Sequence, residues 1–207
     1  MPFHCNEQIF SVICIFLTSI ALKTCSQGMQ SRSKVAICGS GISGCYLAHL
    51  LQASGSFDVS IFEVGRGAGG RSSSRRHSDF AFDHGAQAIK SIKTEAFQRI
   101  VSQWEAEGVL VQWSPRITHI PSMEGVSLSS PYYVGVPAMS AICKHLISSN
   151  QIKKVFNCQV APIRRDGRWQ VAPLNKESIS NAVSADNVFD YLVIADRFYN
   201  SVVVLSI

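Results

Sequence analysis

KVAICGSGISGCYLAHLLQASGSFDVSIFE, running from Lys34 to Glu63, is the stretch on which the fold turns. It opens with KVAIC, a short apolar run of the kind a strand carries when both its faces are buried. That run passes directly into Gly39-Ser40-Gly41-Ile42-Ser43-Gly44. Cys45 to Leu51 then reads as a helix closed near Gly55, and Asp58 to Phe62 reads as a second strand that ends on Glu63. The order is strand, G-x-G-x-x-G, helix, strand, acid, which is the arrangement that gives a glycine-rich turn a phosphate to hold.

Each part has a physical task. Gly39 allows the tight turn, Gly41 lets backbone approach a pyrophosphate, and Gly44 lets the helix pack close to the strand. The helix N-terminus offers N–H groups and the positive end of its dipole. Glu63, nineteen residues after Gly44, is placed to accept from ribose hydroxyls and disfavours a 2′-phosphate. The expected class is therefore α/β: a Rossmann-type FAD/NAD(P)-binding domain with a parallel sheet.

Glu63 is followed almost at once by a second glycine turn, Val64-Gly65-Arg66-Gly67-Ala68-Gly69-Gly70-Arg71. Glycine pairs let backbone come near a cofactor, and an arginine fork suits diphosphate oxygens. A plain NAD dehydrogenase has no need of this clamp. Further on stand Phe82-Asp83-His84-Gly85-Ala86-Gln87, Gly135-Val136-Pro137-Ala138-Met139, Val155-Phe156-Asn157-Cys158-Gln159-Val160 and Phe189-Asp190-Tyr191-Leu192-Val193-Ile194-Ala195.

Together these resemble the flavin amine oxidase superfamily, and within it the renalase-type chains, over about Ser33 to Ala195. The Arg66–Arg71 element carries one extra residue before its glycine pair, and the proline expected after Ala195 is replaced by Asp196. The resemblance implies FAD as cofactor, held by Gly39, Ser40, Gly41, Ile42, Ser43, Gly44, Glu63, Val64, Arg66, Gly69, Gly70 and Arg71. It implies that Gly85, Ala86 and Gln87 face the flavin ring and that Val160 lies against the adenine end. It assigns no catalytic residue.

The same resemblance divides the chain: 33–75 as the FAD-binding βαβ with its glycine–arginine clamp, 76–137 as flavin-facing loop, helix and the start of an incomplete α+β substrate domain, and 138–197 as a return to the FAD-binding domain. Residues 198–207 end in VVVLSI, an apolar strand-like segment expected to lack a partner and to be an aggregation liability. The resemblance implies a third cofactor-binding segment that these residues do not contain, so a truncated form is expected.

Length and composition fit this reading. The chain has 207 residues, 46% hydrophobic and 16% charged, enough to bury a core and unlike a disordered tail or coiled coil. A net charge of +5 is too mild to imply nucleic acid by itself, and Arg75, Arg76 and His77 have no aromatic interleaving. No nucleic-acid partner is expected, and no Cys/His spacing suggests a metal. The seven cysteines, without any C-x-x-C, read as separate buried thiols in a reducing compartment.

Residues 1–28 form an apolar leader whose run Ile9 to Leu22 is short for a membrane span and suits a signal h-region. Its n-region lacks Lys and Arg, so an upstream extension of the reading frame before Met29 is the other reading. The first places the protein in the secretory route or on a membrane through that leader, the second in the cytoplasm or an organelle. Phe97, Ile100, Val101 and Trp104, and likewise Met139, Ile142, Leu146 and Ile147, recur at helical spacing and read as core. His84, beside Gly85, is expected to be structural rather than acid–base, and the Tyr132-Tyr133 pair reads as packing.

Three functions remain open at this stage. One is an FAD-dependent oxidoreductase taking hydride from a C–H next to nitrogen, with O2 as acceptor and an amine or dihydronicotinamide as small-molecule substrate. Another is a non-catalytic nucleotide-binding fragment, and the third is an NAD-binding dehydrogenase domain.

Overall fold

The computed structural model describes residues 32–90, 92–114, 118–119, 124–125, 131–174, 188–196 and 203–205. The leader, residues 1–28, lies outside the described residues.

In chain order the elements are β1 (Ser33–Cys38), α1 (Ile42–Ala53), β2 (Phe57–Phe62), a 3-10 turn (Gly70–Ser72), β3 (Ser74–His77) and β4 (Phe80–Asp83). These are followed by α2 (Glu95–Ala106), β5 (Leu110–Trp113), β6 (Thr118–His119), β7 (Glu124–Gly125), β8 (Tyr132–Gly135) and α3 (Ser140–Leu146). The remainder comprises β9 (Lys153–Val155), β10 (Val160–Arg165), β11 (Arg168–Pro173), β12 (Val188–Phe189), β13 (Tyr191–Ile194) and β14 (Val203–Leu205).

The main sheet has the order β14-β13-β1-β2-β9. β13, β1, β2 and β9 run parallel, and β14 joins antiparallel at the edge. β1 sits in the middle and is covered on both sides, which is why its sequence is a continuous apolar run rather than an alternation. Val35 and Ile37 point into one cluster with Cys45, Leu47 and Leu51 of α1 and Ile142 and Leu146 of α3. Ala36 and Cys38 point into the other, with Phe62, Leu192, Ile194 and, from a three-stranded antiparallel sheet β10-β11-β12, Val171 and Phe189. The result is three layers: helices, parallel sheet, antiparallel sheet.

Side chains such as Phe62, Ile37 and Leu51 are fully buried, each contributing about 1.5–3 kcal/mol by leaving water. The α2 stripe behaves as its spacing predicts. Val101 and Trp104 are buried in the helix-side core, Phe97 and Ile100 pack against it, and Trp104 meets Tyr46 edge-on. Thr94 caps α2 by accepting from the Phe97 N–H at 3.3 Å. Met139, Ile142, Leu146, Ile147 and Tyr133 are all buried in the same core.

Two expectations change. The apolar C-terminal segment does have a partner: Val203 to Leu205 pair with Ile194 to Leu192. The free edge of β13 supplies the ladder, a long-range relation that nothing near residue 203 announces. The thiols, in turn, are buried but not separate. Among the described residues Cys38, Cys45, Cys143 and Cys158 are buried and outside any disulfide, and Cys45 and Cys143 face each other.

Candidate dinucleotide site

The first glycine turn leaves β1 at Gly39, whose φ of +105° favours glycine. A Cβ there would stand 2.8 Å from the Ala195 carbonyl oxygen, so Gly39 is where the turn passes the end of β13. Gly44 serves the helix–strand approach: a Cβ on it would overlap the Gly39 carbonyl oxygen. Gly41 differs from both. A Cβ built there meets nothing within 4 Å, although its neighbours are tightly packed.

Gly41 is also the N-cap of α1, with no side-chain cap and no acidic residue in the first turn. The helix therefore begins without a side chain on its first N–H groups, which together with the dipole favour an anion. Ile42 and Ser43 of this turn are half-buried.

The second glycine turn is laid against the first. Gly69 donates its N–H to the Ser40 carbonyl at 2.9 Å, and a Cβ on Gly70 would come within 3.0 Å of the Gly41 Cα. Ala86 donates to the Arg71 carbonyl at 2.8 Å, and a Cβ on Gly85 would overlap that same oxygen. Three motifs separated in sequence thus meet backbone to backbone: 39–44, 63–71 and 85–87. Val64, Gly70, Arg71, Gly85 and Gln87 are exposed, Ala86 half-buried and Gly69 buried. His84 Nε2 lies 3.3 Å from the Ser73 hydroxyl.

Glu63 ties the turns together. Its Oε2 accepts the Ser40 N–H and the Ser40 hydroxyl, each at 2.8 Å, and its Oε1 accepts the Gly65 N–H at 2.7 Å. A carboxylate offers about four lone-pair positions, so three donors leave Oε1 room for one more. Ser40 is fully buried and its groups are taken by the protein, so it stands behind the cradle and shapes it through Glu63 and Gly69.

Val160 opens β10 and packs, half-buried, against the core that β1 shares with the antiparallel sheet. The chain reaches it from the Glu63 turn, where Cys158 donates to the Glu63 carbonyl and Asn157 to the Gly65 carbonyl, both at 2.9 Å.

Two buried thiols bracket the contact between the glycine turns. Cys45 Sγ donates to the Ser40 carbonyl at 3.2 Å, Cys143 Sγ lies 3.5 Å from the Ser72 hydroxyl, and it approaches the Gly69 carbonyl at 4.0 Å. The facing Cys143 sulfur, then burial, hold the Cys45 thiol far above its ordinary value. Burial, reinforced by the Asp196 charge and by Cys158, pushes the Cys38 thiol up to about 12. Sequence reading missed the Cys45–Cys143 approach, because the two positions lie on different helices and share no motif.

Arg66, exposed, lines a cavity with Arg75, Arg76 and Lys144. Ser74, Ser140 and Lys144 had no signal in the sequence beyond being polar.

A family model described as an NAD(P)-binding Rossmann-like domain matches residues 37–104. Among solved structures, the chain is similar to a protein from Exiguobacterium sp. 255-15 assigned provisionally as a protoporphyrinogen oxidase, at 12% identity and a TM-score of 0.51. It is also similar to a CLA-producing fatty acid isomerase from P. acnes, at 12% identity and a TM-score of 0.53. Each match covers 71% of this chain and 57% of the other, so the chain spans a little over half the length of these neighbours. At that identity the likeness establishes the fold alone, a Rossmann-like α/β domain.

Proposed function

We propose that this chain holds FAD across the Gly39–Gly44 and Gly69–Arg71 turns and forms the cofactor-binding part of a flavin-dependent oxidoreductase. The observation that carries the reading is the open space at Gly41. Backbone crowds Gly39, Gly44 and Gly70, yet the one glycine beneath the uncapped start of α1 faces nothing. An extended phosphoanhydride fits there, with Arg71 beside it and the Gly85–Gln87 segment docked next to Arg71 for the ring system.

In this reading the N–H groups opening α1 bind the diphosphate, and the remaining lone pair of Glu63 Oε1 accepts a ribose hydroxyl. Arg71 neutralises phosphate charge through its fork. Val160, beyond the Glu63 turn, takes the adenine end. Bound there, FAD supplies two-electron acceptance from a C–H next to nitrogen, with O2 as terminal acceptor. The small-molecule substrate belongs to the amine or dihydronicotinamide class, and the renalase-type resemblance in residues 82–87 supports that choice.

NAD is the second reading, favoured by the family model's description over residues 37–104. An absorbance spectrum of the purified 207-residue chain, reconstituted with FAD and then desalted, separates the two. Retained flavin bands at one per chain support the proposal. A colourless protein that binds NADH and not FAD refutes it.

A further inference from the structure

The second glycine turn, β3 and α3 border a half-open cavity of about 530 Å3 that none of the residues of the Gly39–Gly44 turn lines. Four basic residues line it: Arg66 from the second glycine turn, Arg75 and Arg76 from β3, and Lys144 from α3. Ion pairs among the described residues engage Arg32, Arg99, His145 and Arg168, and none of them engages these four. No carboxylate is among the lining residues, and like charges gathered along a concave wall raise the local potential and concentrate anions.

The wall that carries them is fixed in place. Asp83 Oδ1 accepts both the Ser74 hydroxyl and the Met139 N–H, which ties the hairpin to the start of α3 and sets one negative charge near the four basic residues. The Ser140 N–H donates to the Ser74 oxygen at 3.2 Å, and the two hydroxyls lie 3.1 Å apart. Ser74 and Ser140 line the cavity, and its apolar lining is Ala138. No aromatic side chain is among the lining residues, so the lining itself offers charge and hydrogen bonding.

We infer that this cavity is a phosphate site, separate from the dinucleotide cradle, that takes the phosphate or diphosphate group of a small metabolite. Guanidinium forks and hydroxyls match tetrahedral oxyanions at several points at once. Of the four basic residues only Arg66 is also among those expected to hold FAD; Arg75, Arg76 and Lys144 have no part in that reading, so the inference does not require it.

Calorimetric titration of inorganic pyrophosphate into the full chain tests it, with citrate and a short RNA as comparison ligands. Saturable pyrophosphate binding is expected, weakened roughly tenfold or more in Arg75→Ser/Arg76→Ser, the loss of about one charge-assisted contact. Lys144→Gln, on α3, is expected to weaken it in the same direction should the hairpin variant misfold. Gly41→Val is expected to leave pyrophosphate binding unchanged. ADP titrated into Gly41→Val distinguishes a nucleotide-borne phosphate, which binds, from a free oxyanion, which binds alone. Binding that is lost in Gly41→Val and kept in the arginine variant puts the anion in the cradle and overturns the inference. Equal affinity for citrate, tighter binding of RNA, or no pyrophosphate binding overturns it as well.

Discussion

Replacing Gly41 and Gly44 by alanine, one at a time, separates a glycine kept for a ligand from a glycine kept for the fold. At Gly41 φ is −71° and ψ is −178°, which alanine adopts, and the added methyl meets nothing. Alanine gains about 0.4–1 kcal/mol through the unfolded chain and gives back a similar amount as a poorer N-cap. Stability should therefore change by less than about 1 kcal/mol. The methyl occupies the space a phosphate would enter, removing at least one charge-assisted hydrogen bond of about 1.5–3 kcal/mol. FAD affinity, read by quenching of flavin fluorescence, should fall roughly 10- to 150-fold.

At Gly44 the same methyl overlaps the Gly39 carbonyl oxygen. Backbone has to move, costing about 1–3 kcal/mol as overpacking does. The melting temperature should drop by roughly 2–12 °C for a chain of this size. Two results refute the reasoning. One is a Gly41→Ala protein that binds FAD as tightly as the parent; the other is a Gly41→Ala protein that melts as early as Gly44→Ala.

Glu63→Ala leaves the Ser40 N–H, the Ser40 hydroxyl and the Gly65 N–H without their acceptor. It should lose about 1–3 kcal/mol of stability along with cofactor, and Glu63→Gln should recover part of the melting temperature; an unchanged melt in the alanine variant removes Glu63 as a tie between the turns. Gly85→Ala should push the segment off the Arg71 carbonyl, seen as faster amide exchange at Ala86; unaltered exchange there contradicts the docking. Cys38 gives a pH dependence. Its thiol is raised from 9.0 to about 12 in the folded chain, so between those values the unfolded chain has released the proton and the folded chain has kept it. The stabilisation is complete below about pH 9 and lost as pH rises through about 12, on the order of a few kcal/mol in all. Urea midpoints measured from pH 8 to 11 should fall more steeply for the parent than for Cys38→Ala; parallel slopes refute it.

The sequence was most legible where geometry is local. Gly39 and Gly44 could be read because a tight turn and a helix laid on a strand each require a missing side chain within six residues. The core stripes of α2 and α3 were readable for the same reason: helical spacing is a short-range property. Partnerships across the chain were harder to see. The pairing of Val203–Leu205 with β13 depends on which sheet edge is vacant, and the approach of Cys45 to Cys143 depends on how α1 and α3 pack. Glu63 was legible as an acid at the right spacing, but its hold on Ser40 and Gly65 was not, since any donor facing it would have fitted the same sequence. In the sequence Arg75 and Arg76 raise only the question of a nucleic-acid patch; that they line one cavity with Arg66 and Lys144 depends on how α3 packs beside the hairpin.

The closure of the first glycine turn by Ala195 also sets an order of events during synthesis. Ala195 donates its N–H to the Cys38 carbonyl at 2.7 Å, and Lys34 is bonded to Asp190, 156 residues further along the chain. At about 5–20 residues per second, β1, α1 and β2 leave the ribosome roughly 8–30 s before the strand that completes their sheet. Throughout that interval one side of β1 is a bare, apolar, unpaired strand edge. Contacts of such sequence separation form slowly, so the chain's exposure to misassembly is fixed by its topology before any cofactor can help.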